Sequence, residues 1–218
     1  MSARPPPLFL LPTPAGAYFA AADEAEDRLR GFIRLLFAQA VTPRWRDEDD
    51  GFVRRLASAG WVQYLRAPRS AIGDPVETAL PRLLPALSGD RRALLADAHG
   101  FHLASTGLDD TLAEELAALS ADLASLHSRH RRPLAQDLRM YGSAWAIPDA
   151  AGHSQLGFWP LHVGPQRFVL TISGVPLLNQ PELVDLVWLL HQRYGPLASA
   201  LPTPQAADAQ ASCKEKVS

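Results

Sequence analysis

The chain has 218 residues, of which 47% are hydrophobic and 20% charged, and a formal net charge of −2. That is the composition of an ordinary globular protein, long enough for one generous domain or two small ones. It excludes a whole-protein field that would draw in nucleic acid or anionic lipid. The single cysteine, Cys213, excludes an internal disulfide framework and a multi-cysteine zinc site.

The first apolar run, Leu8-Phe9-Leu10-Leu11, lies between Pro5-Pro6-Pro7 and Pro12. It falls short of the roughly 7–15 apolar residues of a signal peptide, and no stretch approaches the roughly 18–20 of a membrane span. A cytoplasmic protein with no membrane association is expected. Residues 1–24, rich in proline and alanine, are expected to be extended and to lie along the body through Phe9, Leu11, Tyr18 and Phe19.

Residues 25–70 carry two helical patterns. Leu29, Phe32, Ile33, Leu36 and Phe37 form one apolar face. The acidic run Asp47-Glu48-Asp49-Asp50 suits the start of a second helix through Phe52, Val53 and Leu56, because negative charge meets the positive end of the helix dipole there. Gly60 reads as a C-cap and Trp61–Leu65 as a strand. Helix, helix, strand suggests a small winged-helix-like subdomain. However, residues 1–70 hold ten arginines against eight acids, and four of those acids open the would-be recognition helix. That placement repels phosphate, so a protein-docking role is expected before a nucleic-acid one.

From residue 71 to 195 helices and short strands alternate. Asp74, Pro75 and Glu77 read as the capped start of a helix that Pro81 and Pro85 kink or shorten. Arg92–Ala96 and Phe101–Ser105 read as strands joined by the turn Asp97-Ala98-His99-Gly100. Leu112, Leu116, Leu119, Leu123 and Leu126 predict a helix over 111–128, capped by Thr111 and Glu114. Its alanines form a second smooth face. A loop is expected from Arg129 to Tyr141. Strands are predicted over Ser143–Ile147, Gln155–Val163 and Arg167–Ser173, and a last helix from Asn179 to Gly195. The remainder, 196–218, reads as a disordered tail.

The order helix, two strands, helix, three strands, helix over about 74–195 resembles the Roadblock family of dynein-light-chain-like domains. The local likeness is Arg92 to Gly107, reading Arg-Ala-Leu-Leu-Ala-Asp-Ala-His-Gly-Phe-His-Leu-Ala-Ser-Thr-Gly, followed by the Leu/Ala-rich helix. Asp97 and Gly100 match the family's turn, and Ala104-Ser105 its small residues. The resemblance implies an α/β fold of the α+β kind: a five-stranded, mostly antiparallel sheet with helices on both faces. It further implies a non-enzymatic regulatory homodimer, commonly with a small Ras-like GTPase as partner. Two alternatives stay open. One is a GAF- or PAS-like small-molecule sensor, and the other a transcriptional regulator using the winged-helix-like segment.

No Gly-rich phosphate loop, Gly-x-Ser-x-Gly or His-Glu-x-x-His is present, so catalytic, metal-binding and cofactor-binding residues are expected to be none. His127 and His130 with Arg129, Arg131 and Arg132 offer a metal pair or phosphate patch. The helix dipole alone favours such residues near a C-terminus, and no third metal ligand is at a suggestive spacing. His99 and His102 suit the turn they flank. Ala117, Ala121, Ala124, Glu114 and Asp122 are the candidate dimer or partner interface, with Ala117 and Ala121 on a second face displaced from the Leu stripe. Trp145, Phe158 and Trp159 form a candidate aromatic pocket or partner surface, although in a regular strand Phe158 and Trp159 point to opposite faces. One of the two then needs a second cover.

Overall fold

The structure, a computed structural model, describes residues 8–45, 51–140 and 142–195. The acidic run at 47–50 and the tail with Cys213 lie outside the described residues. The chain opens with strand β1 (Leu8–Pro12) and helix α1 (Pro14–Ala21), so the expected extended N-terminal segment is helical over half its described length. Its prolines permit this. Pro12 closes the strand, and Pro14 takes the first helical position, where no backbone donor is needed. Thr13 caps α1, its hydroxyl accepting from the Gly16 amide at 3.1 Å. A Cβ on Gly16 would lie 2.0 Å from the Trp61 carbonyl oxygen, so the first turn of α1 can rest on that carbonyl only with glycine there.

Helix α2 (Arg28–Ala38), strand β2 (Arg44–Trp45), helix α3 (Gly51–Ser58) and strand β3 (Val62–Leu65) follow. The small antiparallel sheet has the order β2-β1-β3. The N-terminal strand thus sits in its centre, a strand that the helix-helix-strand reading of 25–70 did not contain.

Helix α4 (Val76–Leu83) tolerates Pro81 and passes into a 3-10 turn, Leu84–Leu87. Asp74 does not cap it. Its carboxylate pairs with Arg82, and Pro75 occupies the cap position. Strands β4 (Ala93–Asp97) and β5 (His102–Thr106), helix α5 (Asp110–Gln136), strands β6 (Trp145–Pro148), β7 (Ser154–Val163) and β8 (Gln166–Ser173), and helix α6 (Pro181–Tyr194) complete the chain. Every pairing in the large sheet is antiparallel, in the order β5-β4-β8-β7-β6. The fold is therefore mixed α/β around a five-stranded antiparallel sheet with helices on both faces.

The period-2 rule divides the sheet residues between two layers. Leu94, Ala96, Phe158 and Val169 face α5. Ala93, Leu95, Trp159, Leu161, Phe168, Leu170 and Ile172 face the main core, shared with α1, α2, α4 and α6. That core draws residues from both sides of position 70, from Leu11 to Leu190. A smaller cluster of Leu10, Phe32, Leu36, Val53, Leu56 and Val62 fills the space under the small sheet.

Both boundaries of α5 differ from the sequence expectation. Asp109, not Thr111, caps α5, accepting from the Leu112 amide at 2.9 Å. The helix also continues through Pro133 to Gln136, where a loop was expected. Arg131 ties these last turns to Asp23 and Glu24 at 3.4 and 3.0 Å, and Arg132 reaches Gln136 one turn on.

Within α6, His191 is buried and stacked on Phe37 at 5.5 Å. Burial, with a smaller contribution from the charge of Arg34, pushes its pKa down to about 3. The unfolded chain takes up this proton near pH 6.5, whereas the folded one does not. Stability is therefore fully present above that value and falls as pH drops toward 3. About 2 kcal/mol should be lost from this group between about pH 6.5 and 5. His191→Phe should flatten the dependence of melting temperature on pH in that window. An unchanged slope would mean that the imidazole titrates normally in the fold.

Candidate functional site

Two regions of α5 concentrate the functional candidates. The helix is about 40 Å long for its 27 residues, whereas five strands span only about 20–24 Å. Its N-terminal half therefore lies across the sheet and its C-terminal part projects beyond it.

On the N-terminal half the orientation is the reverse of the one expected. Ala113, Ala117, Ser120 and Ala124 are buried against the protein's own sheet, Ala117 on Leu94 and Ala96, and Ala124 on Phe158 and Val169. Ala117 and Ala124 are thus core residues and not part of a surface. Small side chains allow the close approach. The β4–β5 hairpin leans on the same helix, where a Cβ on Gly100 would come within 3.1 Å of the Ala118 backbone. Gly100 also adopts φ +86° in a turn closed by the Asp97 carboxylate, which accepts from the His99 and Phe101 amides. Ala121 is half-buried on one flank, and Glu114 and Asp122 are exposed.

The leucines occupy the other flank. Leu112 and Leu119 are each 40% exposed, and Leu116, Leu123 and Leu126 are half-buried. Leu123, Leu156 and Trp145 each pack against the cluster of Ala124, Phe158 and Val169. Leu156 pairs in register with Ile147 of the edge strand β6, and Ile147 is 54% exposed. The leucine flank is thus part-exposed along α5, and the edge strand β6 adds an exposed apolar side chain, Ile147.

The three aromatic candidates do not line one cavity. Phe158 is buried under α5, whereas Trp159 lies in the main core with Ala17, Ala20 and Ala21 of α1. The second cover that the alternation requires is supplied by the N-terminal segment. Trp145 is half-buried, and its indole N–H donates to His127 Nδ1 at 3.2 Å.

Where α5 overhangs, it encloses a cavity of about 80 Å3 with the Ala22–Glu24 segment, Ser143 and the β7–β8 hairpin. His127 and Arg131 come from α5. His162 and Arg167 are register partners on β7 and β8, on the face toward α5. Asp23 and Glu24 close the opposite wall, and Ser143 joins the walls by donating to the Ala22 carbonyl at 3.3 Å. Burial holds the pKa of His162 below the usual imidazole range, against the pull of Glu24 and Asp23. Burial also lowers that of His127, assisted by Arg131. Asp23 is held below the usual carboxylate range: burial pulls it upward, but the Ala25 amide and the charges of Arg131, Arg30 and His162 outweigh that. Of these groups only His127 and Arg131 stood out in the sequence. Asp23, Glu24, His162 and Arg167 come from distant segments, and no motif links them. Among the described residues no group of three His, Cys, Asp or Glu side chains is placed to hold a metal ion. No described helix is long and apolar enough to cross a membrane.

A buried position for Ala117 predicts that Ala117→Arg disrupts folding and not merely association. An unpaired charge would be driven against Leu94 and Ala96, at a cost of several kcal/mol. Thermal denaturation checks this. A variant that melts with the wild type would place the alanine face elsewhere.

No family model matches the chain, and no curated protein matches it. Among solved structures it is similar to a Roadblock/LC7 domain from Streptomyces avermitilis, with 16% identity and a TM-score of 0.38 over 54% of this chain and 95% of that one. It is also similar to the gliding protein MglB from Thermus thermophilus, with 19% identity and a TM-score of 0.37 over 57% and 94%. For Myxococcus xanthus MglB the identity is 16% and the TM-score 0.32, over 68% and 96%.

Proposed function

We propose that this protein is a non-enzymatic regulatory interaction module that forms a homodimer and acts on a small Ras-like GTPase or a related signalling partner. The observation that carries the reading is the part-exposed leucine flank of α5, with Ile147 exposed on the edge strand β6. A helix lying on one sheet buries one stripe. Here the alanine stripe is taken by the protein's own strands, and Leu112 and Leu119 stand part-exposed on the other flank, with Ile147 exposed on the edge strand β6. Such a part-exposed leucine flank suits an isologous contact, in which each protomer offers the same patch to the other. The exposed Glu114 and Asp122, with Ala121 beside them, remain available to a further partner. The GTPase is the partner implied by the Roadblock resemblance of residues 92–126, which is an analogy of fold.

Sedimentation equilibrium should show a dimer at tens of micromolar. Leu119→Arg, at a position already part-exposed, should fold normally and raise the dimer dissociation constant by about a hundredfold or more. A wild type that stays monomeric, or a variant that dimerises equally well, would remove the dimer from the reading.

The GTPase is tested separately. Ras-like GTPases from the same genome, loaded with GDP or a non-hydrolysable GTP analogue, should bind with different affinities in the two states. Absence of binding in both states would leave the sensor alternative ahead.

A further inference from the structure

We propose that the cavity under the overhang of α5 is a binding site for a compact oxyanion, a carboxylate or a phosphate group, held by Arg167 and His127. The inference is independent of the dimer reading. The Arg167 guanidinium lies on the sheet face that α5 covers, and its Nε–H is buried with no acceptor among the described residues. Nor does Arg167 have a carboxylate within ion-pair distance among them, whereas Arg131 is shared by Asp23 and Glu24. A buried guanidinium donor without an acceptor is costly, and a planar oxyanion is the acceptor whose geometry a guanidinium fork matches.

His127 supplies a second donor. Its Nδ1 accepts from the Trp145 indole, which fixes the neutral tautomer with the proton on Nε2. The cavity volume of about 80 Å3 equals that of about five ordered waters. A phosphate or short carboxylate group fills it.

Charge balance sets the pH dependence. Before any ligand enters, the two guanidiniums balance the two carboxylates. An entering monoanion leaves one negative charge in excess, and a phosphate dianion two; His162 is the group placed to offset one of them by taking up a proton. His162 is faced by Arg167 across the register, by Asp23 and Glu24 from the segment after α1, by Arg34 of α2, and by His127 and Arg131 of α5. Binding should therefore tighten as pH falls through the imidazole range.

The full chain is titrated with inorganic phosphate, acetate and chloride at matched ionic strength, at about pH 6 and about pH 8, by calorimetry and thermal shift. Phosphate or acetate should raise the melting temperature more than chloride, and more at the lower pH. The larger response identifies which oxyanion the site takes. Arg167→Gln should weaken binding by about tenfold or more, whereas Arg54→Gln, on the exposed surface of α3, should leave it unchanged. If Arg167→Gln does not fold, the Nε–H resonance of Arg167, assigned by its loss in Arg167→Lys, must shift on titration of the wild type. Equal responses to all three anions, Arg167→Gln binding as tightly as the wild type, or an unmoved Nε–H signal would each overturn the proposal.

Discussion

Helix α6 is the element on which the other packing depends. From Leu183 to Leu190 all but one of its side chains are fully buried, a pattern that a helix on a protein's surface does not show. One side lies on the large sheet, and the others are covered by α1, α2 and α4. Its polar atoms serve its neighbours. The Trp188 indole donates to the Gln39 carbonyl at 2.8 Å, and the Gln192 amide to that of Phe37 at 2.7 Å. These carbonyls belong to the C-terminal end of α2, where a helix leaves its last acceptors unpaired. The exception in the buried run, Asp185, is held by Arg69 through both carboxylate oxygens at 2.7 and 2.6 Å. The segment after the small sheet is thereby tied to the last helix.

Much of this was legible in the sequence. The alternation Phe168-Val169-Leu170-Thr171-Ile172 placed β8 and assigned its faces, because a strand has only two sides and a clean period-2 pattern fills both. The β4–β5 hairpin was visible in Asp97 and Gly100, since few residues other than glycine accept the left-handed turn position. The orientation of α5 was not legible. Leu112/Leu116/Leu119/Leu123 and Ala113/Ala117/Ser120/Ala124 both repeat every seven residues, and hydrophobicity alone favours the leucines as the buried stripe. What decides the matter is how closely helix and sheet approach, and that depends on strands distant in the sequence. The N-terminal elements were hidden for a different reason. Proline was read as a mark of extended chain, yet Pro12 and Pro14 stand at the two element ends that tolerate it.

The charged cavity was the least legible part. Arg131 and His127 invited the bland reading of cations near a helix C-terminus. Their partners lie on a segment over a hundred positions earlier and on a hairpin some thirty positions later. Only the register of β7 on β8 brings His162 beside Arg167, and only the overhang of α5 encloses them. The dipole explanation also weakens in the structure, because the helix runs past these residues to Gln136.

The central place of β1 in the small sheet has a consequence for biosynthesis. Leu8–Pro12 leaves the ribosome some fifty residues before its pairing partner β3. The apolar faces of α1 and α2 are covered only when α6 appears at the end of the described chain. The nascent polypeptide must therefore carry Phe37, Ile33 and the α1 alanines without their final cover until α6 is made. The main core cannot close piece by piece in chain order; it closes only when α6 joins the segments made before it.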